Sequence, residues 1–426
     1  MNNIKKIFLG IAVIILVLPT FIRLNKPLPG IENYYFINQF AYFPDYVFRI
    51  LPLFFGFLSL IMFYLLLKQL KFRKNLSYIS TLLFLVSTPF IYISNYFTPH
   101  FLFLFINLTA FYLFLRKEKH LYLLSIPLFL STAMFGIYSF VTILALITYM
   151  VTFKKHQGLL FTLVIAILIF TLTSLPGQWF AQDQHYLQML ISDFGGNIGI
   201  GISALILALF GFMKTWKQKY KYLFVYFAIA LLFVACKYLF FAIIYLNIPI
   251  VIFASIALNE LLYKKWELKF IKQIAVIALV CTFLFSAVSF VNRSANEQPS
   301  DSIVKSLVFL RNQKQGIVFS HPSKGFWINY YSHKPVLMDK LDKDPELENL
   351  TTDLYYSRSF KNSTKILDEH KIRYIWIDEK MKNGQVWTKP EQGLLFLFVD
   401  ERLFTQIYKK NGIEIWEYHP EQQQTI

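Results

Sequence analysis

Residues 220–262 read YKYLFVYFAIALLFVAC, then Lys237, then YLFFAIIYLNIPIVIFASIALNELL. A membrane-spanning helix needs about 20 predominantly apolar residues. This stretch supplies two such runs with one lysine between them and almost no room for a loop. Two helices back to back in lipid satisfy it, whereas a surface helix of a soluble protein would carry a polar face. The pattern repeats through the first 290 residues. Apolar runs fall near 5–23, 46–68, 75–95, 100–115, 120–135, 137–153, 157–175, 196–213, 220–236, 238–262 and 271–290. That predicts about eleven spans. The segment 120–153 has basic flanks at both ends, Lys119 and Lys154, and two short spans breaking near Gly136 would keep both on one side of the membrane. The first span is long for a signal-peptide core and no small-residue cleavage site follows it, so it reads as retained. Composition agrees: 56% of the chain is hydrophobic and 16% charged, against about a quarter charged in soluble domains. Cys236 and Cys281 both lie in apolar runs, which argues against a disulfide framework and a thiolate metal site.

The net charge of +17 invites a nucleic-acid reading, but its distribution opposes one. Residues 1–290 carry +16 and residues 291–426 only +1. Along the spans, the basic residues sort onto alternate connections. One set holds Lys5, Lys6, Lys68, Lys71, Arg73, Lys74, Arg116, Lys117, Lys119, Lys154, Lys155 and the clusters at 214–221 and 264–272. The other holds only Arg23, Lys26, Arg49 and Lys237. The excess of lysine and arginine marks cytoplasmic connections. The N-terminus is therefore expected in the cytoplasm of a multi-pass plasma-membrane protein, with residues 291–426 outside. Glu32, Asp45, Asp183 and Asp193 all fall in outer connections. Acids at membrane level among few cations suggest chemistry at the outer face.

Three outer connections carry candidate residues. The first contains Pro27-Leu28-Pro29-Gly30-Ile31-Glu32-Asn33-Tyr34-Tyr35. Proline and glycine set a turn just ahead of Glu32, and a carboxylate held beside apolar surface suits a general base or a hard-cation ligand. The competing reading is a solvated acid among interfacial aromatics. The second connection runs from Pro176 through Trp179, Asp183 and His185 to Asp193-Phe194-Gly195-Gly196. Here Asp193 either takes part in chemistry or caps the next helix. Lys237 is the third candidate, a lone cation poorly hydrated at a tight hairpin, for which a lipid phosphate is the natural partner and plain snorkelling to headgroups the alternative. His100, at a predicted helix start, is a possible acid–base group or a structural histidine.

Residues 291–426 change character, with mixed charges and short apolar runs. Ile317–Ser320, Pro335–Met338, Tyr374–Asp378 and Ile413–Tyr418 read as strands, the last alternating as an edge strand would. Asp301–Arg311, Lys324–Tyr331, Glu346–Tyr356, Ser363–His370 and Gln392–Lys410 read as helices. The expectation is a small α/β domain. No phosphate-cradling Gly-Lys loop, dinucleotide-binding glycine motif, HExxH, GxSxG or CxxC occurs, which argues against a nucleotide-powered pump and the common hydrolases.

With these residues in hand, the chain resembles the GT-C membrane glycosyltransferases, a superfamily that includes oligosaccharyltransferase catalytic subunits and protein O-mannosyltransferases. Pro29-Gly30-Ile31-Glu32-Asn33-Tyr34-Tyr35 looks like their acidic first-loop motif. Gly325-Phe326-Trp327-Ile328-Asn329-Tyr330-Tyr331 sits where oligosaccharyltransferases carry a Trp-Trp-Asp-Tyr-Gly acceptor motif, but no aspartate lies between Trp327 and Tyr330. The resemblance implies a polytopic α-helical membrane domain (1–290) followed by an extracytoplasmic α/β domain (291–426). It further implies inverting sugar transfer from a polyprenyl-phosphate donor to a protein, lipid or glycan acceptor. Glu32 and Asp193 would be catalytic and, with Mg²⁺ or Mn²⁺, metal-binding. Lys237 and Arg49 would hold the donor phosphate, and Tyr34, Tyr35, His100, Trp179, Asp183, His185 and Trp327 would contact substrate. A flippase for lipid-linked glycans and an inactive scaffold are the rival expectations. No internal repeat of the kind transporters show is visible.

Overall fold

The computed structural model describes residues 2–40, 43–116, 118–153, 157–174, 190–195, 198–239, 241–342, 344–389 and 391–420. Contacts gather the chain into two compact units: Met1–Leu24 with Phe43–Ala295, and Asn25–Tyr42 with Asn296–Ile426. The first outer connection of the sequence reading, residues 25–42, thus clusters with the C-terminal region rather than with the spans on either side of it.

The first unit is helical. Asp45–Gln69, His120–Phe153, Ala242–Tyr263 and Lys269–Ala295 are long and apolar enough to cross a membrane, and Lys74–Leu85 with Thr88–Asn95 forms a further candidate bent by 61°. Shorter apolar helices cover Leu9–Ile22, Pro99–Phe114, Gln157–Leu172 and Tyr222–Ala235. The hairpin at 220–262 resolves into helices Lys219–Ala235 and Ala242–Tyr263. Between Lys119–Ser131 and Ser139–Phe153 the chain tightens into a 3₁₀ stretch, Thr132–Tyr138, where Gly136 takes φ +59°, a left-handed conformation that disfavours residues with a Cβ.

Lipid offers no hydrophobic drive to pack helices together, so close backbone approach and interhelical hydrogen bonds do that work. Both are present. A Cβ at Gly211 would collide with the carbonyl of Phe253, and one at Gly56 with the Ser94 side chain. Ser80 Oγ and Ser255 Oγ lie 2.6 Å apart, and Asn247 donates to Ser87 Oγ at 2.7 Å.

The second unit is built on a four-stranded sheet, β1 (Ile317–Phe319), β2 (Ile372–Ile377), β3 (Phe404–Lys410) and β4 (Ile413–Tyr418), in the order β1-β2-β4-β3. β1 runs parallel to β2, and the β2–β4 and β3–β4 pairs are antiparallel. Helices Asp301–Arg311, Gly325–Ser332, Pro345–Tyr356 and Phe360–Glu369 accompany it. Trp387, Leu354, Leu367, Ile377 and Leu394 form a core with no exposed surface.

Two sequence expectations change here. Residues 392–410 are not one helix: a single turn at Leu394–Leu397 is followed by β3. β4 is not an edge strand, because β3 pairs along its far side. The signal for both is Asn411-Gly412, whose φ values of 51° and 72° make a tight hairpin turn, the Asn-Gly type matched to strand twist. Pro335–Met338 likewise contributes only an isolated bridge, Val336 to Val318, instead of a strand.

Candidate functional site

In the second unit, Glu32 begins the helix Glu32–Gln39 and is half-buried. No partner for its carboxylate occurs among the described residues, so nothing ties it down. What holds the surrounding segment is a set of contacts to the region around residues 298–331. Gly30 N–H donates to the Gln298 carbonyl at 2.9 Å. Trp327 Nε1 donates to the Gly30 carbonyl at 3.2 Å. The Tyr34 hydroxyl lies 2.7 Å from that of Tyr331 and 3.1 Å from the Leu28 carbonyl, and its ring packs edge-on to Tyr330. Tyr35 meets Phe326 with ring centroids 5.4 Å apart. Gly30 itself sits at φ +80°, so Pro29-Gly30 makes the turn that presents Glu32.

Tyr34 and Trp327 make these contacts within the unit. Tyr34 is fully buried and Trp327 is 3% exposed. Their polar atoms are used to anchor the Glu32 segment. Trp327 also lines a polar cleft of about 620 Å³ within this unit, together with Gln298, Lys324, Asp378, Asn383 and Gln385.

In the first unit, Asp193 lies in the 3₁₀ turn Ser192–Phe194, and its Oδ2 accepts the Ile202 N–H at 2.7 Å, at the start of helix Ile202–Thr215. The capping role weighed from the sequence is therefore present. The other oxygen, Oδ1, is buried and has no hydrogen-bond donor among the described residues. Asp193 interacts electrostatically with Arg293, near the end of the long helix Lys269–Ala295. Arg293 Nη1 donates to Ser289 Oγ at 2.8 Å, and its neighbour Ser294 belongs to a polar network. Tyr96 donates to Ser294 Oγ at 3.2 Å, Arg23 Nη1 to the Ser294 carbonyl at 2.6 Å, and Arg49 Nη1 to the Arg23 carbonyl at 2.7 Å. Arg49 is thus tied to Arg23 and, through it, to Ser294. Arg23 and Arg293 were not singled out from sequence, although Arg23 and Arg49 stood out as two of four cations on the poorly basic side.

Lys237 is exposed in the turn after helix Lys219–Ala235, with Nζ 5.6 Å from the Tyr238 ring centroid. The same turn contributes Ala235 and Leu239 to the wall of an apolar cleft of about 320 Å³, whose other walls come from Ile137–Ile147, Leu231, Leu232, Ala242 and Tyr245. His100 is fully buried. Its Nδ1 lies 2.8 Å from the Tyr245 hydroxyl, and its ring packs on Phe241 and edge-on to Tyr138. Nε2 has no partner among the described residues. Tyr138 and Tyr245, the tyrosines against His100, also line the apolar cleft. Trp179, Asp183 and His185 lie outside the described residues.

A divalent cation was expected on Glu32 and Asp193. No group of three His, Cys, Asp or Glu side chains gathers among the described residues. These donors do not by themselves suit an oxygen-seeking ion that takes six or more ligands.

The fold is that of the GT-C membrane glycosyltransferases. The oligosaccharyltransferase of Archaeoglobus fulgidus, solved with a tethered acceptor peptide, superimposes with a TM-score of 0.60 over 94% of this chain and 72% of its own, at 12% identity. The same organism's AglB, solved with an inhibitory peptide and a dolichol-phosphate, gives 0.58 over 99% and 75%, at 11% identity. ArnT from Cupriavidus metallidurans gives 0.59 over 99% of both chains, at 9% identity. No protein-family model and no curated protein matches the chain by sequence.

Proposed function

We propose that this protein is a glycosyltransferase that moves a sugar from a polyprenyl-phosphate carrier to an acceptor at the outer membrane face, with inversion at the anomeric carbon. The observation that carries this reading is the apolar cleft beside the Lys237 turn. An isoprenoid chain needs an apolar trough within the helical unit, and its phosphate needs a cation where the trough meets the interface. The cleft and Lys237 supply these from one stretch of chain. The fold-level similarity to AglB, whose structure holds a dolichol-phosphate, supports the same donor class.

In this reading Glu32 is the general base. Its carboxylate accepts the proton of the acceptor nucleophile as that nucleophile attacks the anomeric carbon, and the sugar–phosphate bond breaks with the electron pair leaving on the phosphate oxygen. Lys237 and Arg49 offset the charge that develops there. Asp193, held by the Ile202 N–H, helps to orient Arg293 through their electrostatic attraction. A structure of the archaeal oligosaccharyltransferase with Zn and sulfate keeps metal assistance open to test, but no step is assigned to a metal here.

The test is turnover of purified protein with polyprenyl-phosphate sugars, with and without a chelator. Glu32→Gln is expected to lose release of lipid phosphate by at least ~100-fold, the usual scale for removing a general base, while the fold stays intact. Equal turnover by both proteins would remove Glu32 from the reaction. Transbilayer movement of the donor without phosphate release would replace the transferase with a flippase.

A further inference from the structure

The polar cleft of the second unit has a lining that the transfer reaction does not use. Gln298, Ser300, Ser302, Ser323, Asn383, Gln385 and Asn411 contribute neutral side chains, each able both to donate and to accept hydrogen bonds. Its charged members cancel, Lys324 and Lys380 against Asp378 and Glu379. At about 620 Å³ the cleft lies in the usual range for small-molecule sites, roughly 300–1,000 Å³, and Ile31, Ile303, Trp327 and Ile413 add apolar surface to its polar groups.

The buried end of the cleft is built around an ion pair. Lys324 Nζ lies 2.7 Å from Asp378 Oδ2, with both side chains more than nine-tenths buried. Asp378 Oδ1 accepts the Met381 N–H at 3.0 Å. Lys324 also donates to Gln298 Oε1 at 3.2 Å and sits 5.1 Å from the Trp327 ring centroid. An ammonium has three protons, and these two polar partners leave one over. A buried charge pair of this kind is a poor stabiliser compared with apolar packing. Its retention beneath a cleft rich in amides points to a ligand that uses it.

We propose that this cleft binds a short neutral oligosaccharide. Charge balance disfavours a phosphate or an acidic peptide, and a lining that carries far more polar surface than the apolar cleft of the helical unit disfavours a lipid chain. Sugar hydroxyls, which donate and accept from the same atom, match the amides and serines at the mouth and the polarised pair below. The saccharide could be a free glycan or the glycan portion of a lipid-linked donor, since the recognised chemistry is the same.

The test is calorimetric titration of the full-length protein in detergent, without donor, using maltotriose, chitotriose and mannotriose, so its result stands apart from transfer activity. At least one should bind saturably below ~10 mM. The double variant Asn383→Ala/Gln385→Ala changes two exposed lining residues and leaves the core alone. It should weaken binding about tenfold, the loss of roughly two ordinary hydrogen bonds. Absence of binding by all three sugars, binding unchanged in the double variant, or saturable binding of an uncharged hexapeptide in their place would overturn the proposal. A second arm separates the sources. Elongation of the bound trisaccharide in the presence of donor identifies a free glycan, and competition between trisaccharide and lipid-linked donor without elongation identifies the donor's own sugar. Either result upholds the site.

Discussion

The residues with most at stake are those whose charges are buried. Burial pushes the Lys324 ammonium below the usual lysine value, and Asp378 pulls it back only in part. Between the folded value and the ordinary one the unfolded chain binds more protons, so this lysine makes stability rise with pH across that window. Lys324→Met should remove that slope. It also leaves Asp378 buried without its cation, as Asp378→Asn leaves Lys324 without its anion. Each single change is expected to cost about 3–5 kcal/mol, and the double variant distinctly less than the sum. Denaturant unfolding followed by intrinsic fluorescence checks both points, and additive single costs would show that the two groups act independently. Asp193 shows the same principle on the helical side. One oxygen accepts the Ile202 N–H at the start of a helix, so a residue noticed for its charge also has a structural task.

At the scale of elements, the close helix contacts are the sensitive points. Helices Ile202–Thr215 and Ala242–Tyr263 approach so nearly at Gly211 that any side chain there meets the Phe253 backbone. A backbone carbonyl cannot swing aside as a flexible side chain can. Gly211→Leu is therefore expected to separate the pair and lower the thermal midpoint of the detergent-solubilised protein by several degrees, consistent with overpacking of about 1–3 kcal/mol. Gly10→Leu, which meets nothing within 4 Å, is the control and should leave the midpoint in place. In the second unit the Asn411-Gly412 turn plays the corresponding part, since it sets the β3–β4 register and places β4 inside the sheet.

For the molecule as a whole, the proposed orientation rests on the charge of the connections. In a background with Cys236 and Cys281 replaced by alanine, single cysteines at exposed positions 73 and 353 should report opposite sides of the membrane. A membrane-impermeant maleimide on intact cells is expected to label Asp353→Cys and to reach Arg73→Cys only after permeabilisation. The reverse pattern would invert the proposed topology and move the chemistry to the cytoplasmic face.

The helical character of residues 220–262 was legible from the sequence because apolar run length is a local property and lipid imposes it directly. Helix Asp301–Arg311 and strands β1, β2 and β4 were legible for a similar reason, since each carries its own periodicity. β3 was missed because Phe404–Lys410 reads as the continuation of a helix from Gln392, and its pairing with β4 distinguishes it. The first outer loop shows the sharper limit. Glu32 and its Pro-Gly turn could be picked out from composition, but the grouping of residues 25–42 with the C-terminal unit depends on bonds such as Trp327 to Gly30, 297 positions apart. The same holds for the pairing of Lys324 with Asp378 beneath the polar cleft. Short-range patterning specifies which segments are helix or strand; long-range hydrogen bonds and buried charge pairs exist only once the chain has folded, and they decided which residues share a site.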